Sequence, residues 1–307
     1  MNIQYNKIMN QVYIKTIRST NGPEERSRYF FYNEVRTLQE LPTSGTPSGQ
    51  VRVPKILLGG YYYPAIPNIP QHQQKSEIGI PLEKIEGEPL EHIGHQFSIK
   101  ELCQMGYEIG NFISTTSRVH GDLHPGNILI TPNKQIVLID WESSAYIGEN
   151  RPTRTKVGYQ HPFVSAWINL AWSISPPIPL PENIRKAFPI RDIYPLTLSL
   201  FNLMYKRDLE TSPSSIRRLL KSTYKSGQRL TPAVIDKLAK QHQIRTAQEI
   251  RELLDYDTQQ DFPGHPQLPP SIERFFNQYL CAPYDLERYN WQDWLDDLNS
   301  ALTSISN

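Results

Sequence analysis

Apolar and polar positions alternate near the start of the chain. Val12-Tyr13-Ile14-Lys15-Thr16-Ile17 alternates and is rich in β-branched residues, so a strand is predicted there. With residues 3–5 and a polar turn over residues 6–10, it reads as a hairpin. After Asn21-Gly22-Pro23 the period changes. Phe30, Glu34, Leu38 and Leu41 share one face of a helix predicted over residues 24–41. Residues 42–70 are loop-rich around one predicted strand, 53–58, and Pro64, Pro67 and Pro70 favour extended chain. Residues 78–90 read as a strand and turn. Residues 99–118 carry Leu102, Met105, Ile109, Phe112 and Ile113 as a helical stripe that reads as core. Two short apolar runs, 128–130 and 136–139, flank a Pro132-Asn133 turn and predict a buried hairpin. Further helices are predicted over 196–205, 215–225, 232–241, 246–255, 272–280 and 291–305. Trp291 and Trp294, three positions apart, are expected in the core.

Composition narrows the function classes. The chain has 307 residues, enough for two lobes and a sizeable core. Its 32 Lys and Arg against 31 Asp and Glu leave a net charge of +1, which argues against a nucleic-acid or membrane-surface partner. There is no apolar run of about 18 residues, so no membrane span is expected. Met1-Asn2-Ile3-Gln4-Tyr5 shows no signal pattern. Two cysteines, Cys103 and Cys281, make no disulfide framework and point to the reduced cytoplasm.

The chemistry concentrates in two stretches. Val119-His120-Gly121-Asp122-Leu123-His124-Pro125-Gly126-Asn127 carries an Asp and an Asn separated by four residues. Ile136-Val137-Leu138-Ile139-Asp140-Trp141-Glu142 follows, and the hairpin between them returns Asp140 opposite Asn127. Taken singly, His-Gly-Asp is a common tight turn and an Asp at a strand end is often a cap. Two acids and an Asn in register across an apolar hairpin are a rarer combination.

This pair of stretches resembles the catalytic and metal-binding loops of the kinase-like phosphotransferases. His-Gly-Asp and Ile-Asp-Trp-Glu look like the aminoglycoside, choline and fructosamine kinases, which act on small molecules. The resemblance implies an α+β, two-lobed protein-kinase-like fold, with a small N-terminal sheet lobe (1–90) and a mainly helical C-terminal lobe (91–307). It implies ATP and Mg²⁺ as cofactors and a hydroxyl acceptor, on a small molecule or, as the alternative, on a protein Ser or Thr. Asp122 would be the catalytic base, and Asn127 and Asp140 the metal ligands. Lys15 would hold phosphate as the lysine of the third kinase strand, with an exposed strand lysine as the plainer reading. Glu34 would orient Lys15, because a carboxylate on an apolar helix face needs a partner; Glu40 is the rival if the helix phase differs. Leu82 would bound the adenine pocket, the Glu83 carbonyl and Ile85 N–H would bind its edge, and His124 is counted with the nucleotide-binding residues.

Departures from the protein-kinase pattern bear on regulation and nucleotide handling. Gly121 stands where protein kinases usually carry Arg, which implies no activation-loop switch. No glycine lies among the fourteen residues before Lys15, where kinases have a glycine-rich loop, so a nucleotide-binding pseudokinase is a third reading. Lys156-Val157-Gly158-Tyr159-Gln160-His161-Pro162 resembles the end of an activation segment, with Lys156 for the usual Thr and Phe163 for the usual Glu. Asp192 would cap the helix that follows and accept N–H bonds from the catalytic loop. The Pro-rich residues 176–181 read as a surface loop.

Overall fold

The computed structural model describes residues 12–16, 24–42, 49–57, 79–149, 181–183, 188–205, 231–241, 268–281 and 286–305, with isolated positions between them. Strand β1 (Val12–Thr16) pairs antiparallel with β3 (Gly79–Glu83), Tyr13 facing Leu82 and Lys15 facing Ile80 across the ladder. The other edge of β3 meets residues 55–57. Leu57 N–H donates to the Pro81 carbonyl at 3.0 Å and Glu83 N–H to the Lys55 carbonyl at 2.8 Å. The strand expected over 53–58 is therefore a short irregular contact, because Pro54 has no N–H to add to a ladder. The regular strand lies earlier, at β2 (Val51–Arg52), and it joins a different sheet.

That second sheet runs β2-β7-β6-β4, with β4 at Glu88–Pro89, β6 at Ile128–Ile130 and β7 at Ile136–Leu138. The β6–β7 hairpin forms where expected, with Ile128 opposite Leu138 and Ile130 opposite Ile136, a register one residue off the expected pairing of Asp140 with Asn127. β2 pairs parallel with β7, Val51 opposite Ile136, a long-range pairing with no local signal. A third, two-stranded sheet joins β5 (Arg118–Val119) to β8 (Ala145–Tyr146).

Helix α1 (Glu24–Glu40) matches its expected span and buries Phe30, Glu34 and Leu38, with Leu41 just beyond. Helix α2 (Ile99–Ser114) begins at a capping box, where Ser98 and Glu101 satisfy each other's backbone N–H groups. It ends four residues before the expected stop. The hydroxyls of Ser114, Thr115 and Thr116 donate back to the Asn111, Phe112 and Ile113 carbonyls, and Ser117 turns left-handed at φ 54. Helix α3 (Ile190–Tyr205) starts earlier than expected, which puts Asp192 inside its first turn rather than at its cap. It is buried along almost its whole length, and α2, α4 (Pro270–Leu280) and α5 (Trp291–Ile305) pack around it and one another. Trp291 and Trp294 are in the core, edge-to-face at 5.6 Å, and the Trp294 indole donates to Thr197 of α3 at 2.9 Å. Gly110 of α2 admits them: a Cβ there would meet the Trp294 ring at 2.7 Å.

Residues 232–241 are helical as expected. The expected helix 215–225, most of 246–255 and 151–163, the start of the N-terminal hairpin and most of the Pro-rich stretch lie outside the described residues. Both cysteines are buried and neither forms a disulfide. Among the described residues no helix is long and apolar enough to cross a membrane. The architecture is mixed α+β and compatible with a kinase-like fold.

Candidate active site

Lys15 leaves β1 towards two carboxylates. Its Nζ lies 2.6 Å from Glu34 Oε2 and 2.5 Å from Asp140 Oδ1. Glu34 is 1% exposed, so the carboxylate on the apolar face of α1 does find the strand lysine. Glu40 goes elsewhere, to the buried Arg118 and, at 2.6 Å, to the Tyr146 hydroxyl. Burial alone would depress the Lys15 ammonium, but the Glu34 and Asp140 carboxylates outweigh it and hold the pKa above the ordinary lysine value. Glu34 is pushed up to about 7. Burial is the main cause, and the Asp140 and Glu142 carboxylates add to it against the pull of Lys15.

Ligand oxygens of Glu34, Asp140 and Glu142 all lie within 4.8 Å of one another. Two of the three pair with the Lys15 ammonium, and an all-oxygen set of that charge suits a hard divalent cation such as Mg²⁺. Glu142 was not among the candidate ligands; its only signal was its place two residues after Asp140. The loop is held from below. Trp141 is fully buried, donates its indole N–H to the Leu138 carbonyl at 2.9 Å and packs 4.5 Å from the His120 ring. Asn33 of α1 donates to the carbonyls of Glu142 and Ser144 at 2.9 and 2.7 Å, tying that helix to this loop. Asp140 itself is left-handed at φ 65, a conformation costly for a non-glycine residue.

The catalytic-loop sequence is built by three devices. Asp192 receives His120 N–H at 2.6 Å and Gly121 N–H at 2.9 Å, the backbone role expected of it. Gly121 adopts φ 81, and a Cβ there would run into the Ser143 carbonyl and the Arg191 guanidinium. That explains why no larger residue occupies the middle of His-Gly-Asp. His120 bridges the loops: its Nδ1 accepts from Asp122 N–H at 3.3 Å, so its Nε2 is the protonated nitrogen that donates to the Ile139 carbonyl at 2.9 Å. Burial, with a smaller push from the Lys15 charge, holds the pKa of this imidazole down to about 4.

Asp122 is buried at 8% exposure, and Asn127 Nδ2 donates to its carbonyl at 2.9 Å. That bond spends the amide NH₂ on the loop and leaves the Asn127 carboxamide oxygen as its ligand atom. Ile139 N–H donates to the Asn127 carbonyl at 3.0 Å, so Ile139 rather than Asp140 stands opposite Asn127; Asp140 follows one residue on, and both it and Asn127 line the same cavity. His124 Nδ1 accepts from Gly126 N–H at 3.0 Å and caps the short 3₁₀ turn Pro125–Asn127.

Some of these groups border a cavity of about 370 Å³. Lys15, Glu34, Asn127 and Asp140 line its charged end; Tyr13, Leu82, Glu83, Lys84, Ile85 and Leu129 line much of the rest. Of the expected site residues, Asp122 and His124 are not among those lining it. The Glu83 side chain accepts both terminal nitrogens of Arg52 at 2.8 and 2.9 Å, and Arg52 Nε reaches Gln135 at 2.7 Å. Sequence reasoning missed Arg52, Asn33 and Arg191, which reach Glu83, Ser144 and Ser143 across 31, 111 and 48 residues. No curated protein matches the chain. Residues 113–147, which contain the 119–127 stretch, the hairpin and Asp140 to Glu142, match the sequence model of the phosphotransferase enzyme family, and that match supports a kinase-type transferase within the protein-kinase-like superfamily.

Proposed function

We propose that this chain is an ATP- and Mg²⁺-dependent phosphotransferase acting on the hydroxyl of a small molecule, with two lobes meeting near residue 90. The observation that carries the reading is the Lys15 ammonium held between Glu34 and Asp140 at one end of a cavity bounded by the Leu82–Ile85 segment. In this reading Lys15 holds the α- and β-phosphates and Glu34 orients it. Asn127, Asp140 and Glu142 supply oxygen ligands, and Mg²⁺ bound there would neutralise phosphate charge. Leu82 bounds the base, while the Glu83 carbonyl and Ile85 N–H take its edge. Asp122 accepts the proton of the acceptor hydroxyl as that oxygen bonds to the γ-phosphorus. The bond to the β–γ bridging oxygen breaks, and ADP leaves with the electron pair. His124 supports the loop rather than the cavity.

Incubation with γ-labelled ATP and Mg²⁺, followed by separation of small molecules from protein, tests this. Label is expected in a small-molecule fraction from a cell extract. Label confined to protein would favour a Ser/Thr kinase. Folded protein that binds no Mg-ATP would leave a non-catalytic role.

A further inference from the structure

We propose that Asn33 is a positioning residue for the metal site: its side-chain amide clamps the backbone of residues 142–144 and so holds the Glu142 carboxylate beside those of Asp140 and Glu34. The inference rests on the metal-dependent reading above and assigns a residue that reading leaves without a role. Trp141–Ser143 form a single 3₁₀ turn, closed by Ser144 N–H donating to the Trp141 carbonyl at 3.1 Å. A turn that short leaves its last carbonyls without an internal donor. Ser143 and Ser144 are buried, and buried carbonyls need a partner. Asn33, itself 6% exposed, meets that need. One NH₂ carries two donors, and here they go to the Glu142 carbonyl at 2.9 Å and the Ser144 carbonyl at 2.7 Å. The Ser143 carbonyl between them accepts instead from Arg191 Nη2 of α3 at 3.4 Å. Three successive carbonyls are thus held by side chains from two helices.

The clamp matters because of what stands beside it. Asn33 precedes Glu34 on α1, and Lys15 joins Glu34 to Asp140, two residues before Glu142. One turn of α1 therefore meets the 140–144 loop twice, through the backbone at 142 and 144 and through side chains at 140. Lys15 fixes Glu34 and Asp140, while Asn33 holds the backbone that carries the Glu142 carboxylate. Ligand oxygens of the three lie within 4.8 Å of one another. Release of the Glu142 carbonyl would let its peptide rotate and carry the carboxylate out of that spacing. Groups that orient a ligand in this way govern metal affinity without touching the metal. A neutral amide also suits the task electrostatically. A lysine or arginine could donate to the same carbonyls, but its charge would compete with the metal for the carboxylates.

The experiment titrates Mn²⁺, a spectroscopic stand-in for Mg²⁺, into the nucleotide-free protein. Free Mn²⁺ is read by electron paramagnetic resonance, and each variant is checked by a melting curve. Asn33→Leu keeps the number and branching of heavy atoms and removes both donors. Asn33→Ser is smaller and leaves room for water at the carbonyls. Both are expected to weaken Mn²⁺ about ten- to a hundredfold, Asn33→Ser at the lower end. Glu142→Gln is expected to weaken it as much. Adding Asn33→Leu to Glu142→Gln should then cost less than about twofold more, because the clamp has no carboxylate left to position. Wild-type Mn²⁺ affinity in either folded Asn33 variant overturns the assignment while the metal-dependent reading stands. An Asn33→Leu loss undiminished in the Glu142→Gln background, or an Asn33→Ser protein that does not fold, marks a purely structural role and overturns it as well. Wild type that binds no Mn²⁺ refutes the metal site itself, and the assignment with it.

Discussion

Replacing Lys15 by Met removes the cation from a cluster of three carboxylates. Glu34 is then left at 1% exposure with Asp140 and Glu142 beside it. Removing one partner of a buried pair costs about 3–5 kcal/mol. Lys15 is 23% exposed, so solvent screens part of the pairing, and about 2–3 kcal/mol is expected. In a chain of this size that lowers the melting temperature by roughly 4–6 °C. The loss depends on pH. Glu34 already sits at about 7, above its unfolded value, and without Lys15 it rises further. A carboxylate raised in the folded state stabilises below its unfolded pKa, and that stability is lost as pH rises through the folded pKa. The deficit of Lys15→Met is therefore larger at pH 8 than at pH 6. A second change, Glu34→Gln, restores much of it by removing the stranded charge. Mg²⁺ should stabilise Lys15→Met more than wild type, since the cation meets carboxylates no longer shared with an ammonium. Thermal unfolding of the three proteins at both pH values, with and without Mg²⁺, is the assay. If Lys15→Met melts with wild type at pH 8, or Glu34→Gln adds to the damage, the electrostatic account of this cluster is wrong.

Asp122→Asn should keep the fold and Mg-ATP binding while turnover falls about 10²–10⁴-fold, a loss read by steady-state kinetics beside calorimetry. Gly121→Ala should destabilise by about 2 kcal/mol or more in denaturant unfolding, because φ 81 is strained for alanine and the Cβ meets Ser143 and Arg191. His120, held down to about 4 by burial, stabilises above its unfolded pKa and loses that stability as pH falls from about 6.5 towards 4. Relative to His120→Asn, wild type should lose on the order of 3 kcal/mol across that window. Asp192, pushed up to about 6 mainly by burial, works in the opposite direction in both proteins and drops out of the difference.

What could be read in the sequence was what is local or periodic. The Asp122 to Asn127 spacing, the existence of the hairpin and the burial of Glu34 follow from period and turn chemistry over short separations. The Lys15–Glu34 pair could be inferred because a charge on an apolar face needs a partner nearby. The pairing of Val51–Arg52 with Ile136–Val137 had no such signal, since parallel partners 85 residues apart leave no turn between them. The early end of α2 depended on hydroxyls bonding back to carbonyls, which periodicity does not register. Arg191, buried beneath Gly121, explains the glycine only once the two are seen together.

The Arg52 guanidinium has a mechanical consequence. It grips Glu83 with two nitrogens and Gln135 with the third, so it spans from the Leu82–Ile85 segment of the cavity wall to the turn of the β6–β7 hairpin. Swinging one of these against the other would strain charge-assisted bonds on a rigid planar fork. The crossbrace makes them one frame and sets the gap between them by covalent lengths. Any change in the width of this cleft has to break or carry along those three bonds, so the crossbrace resists its opening and closing.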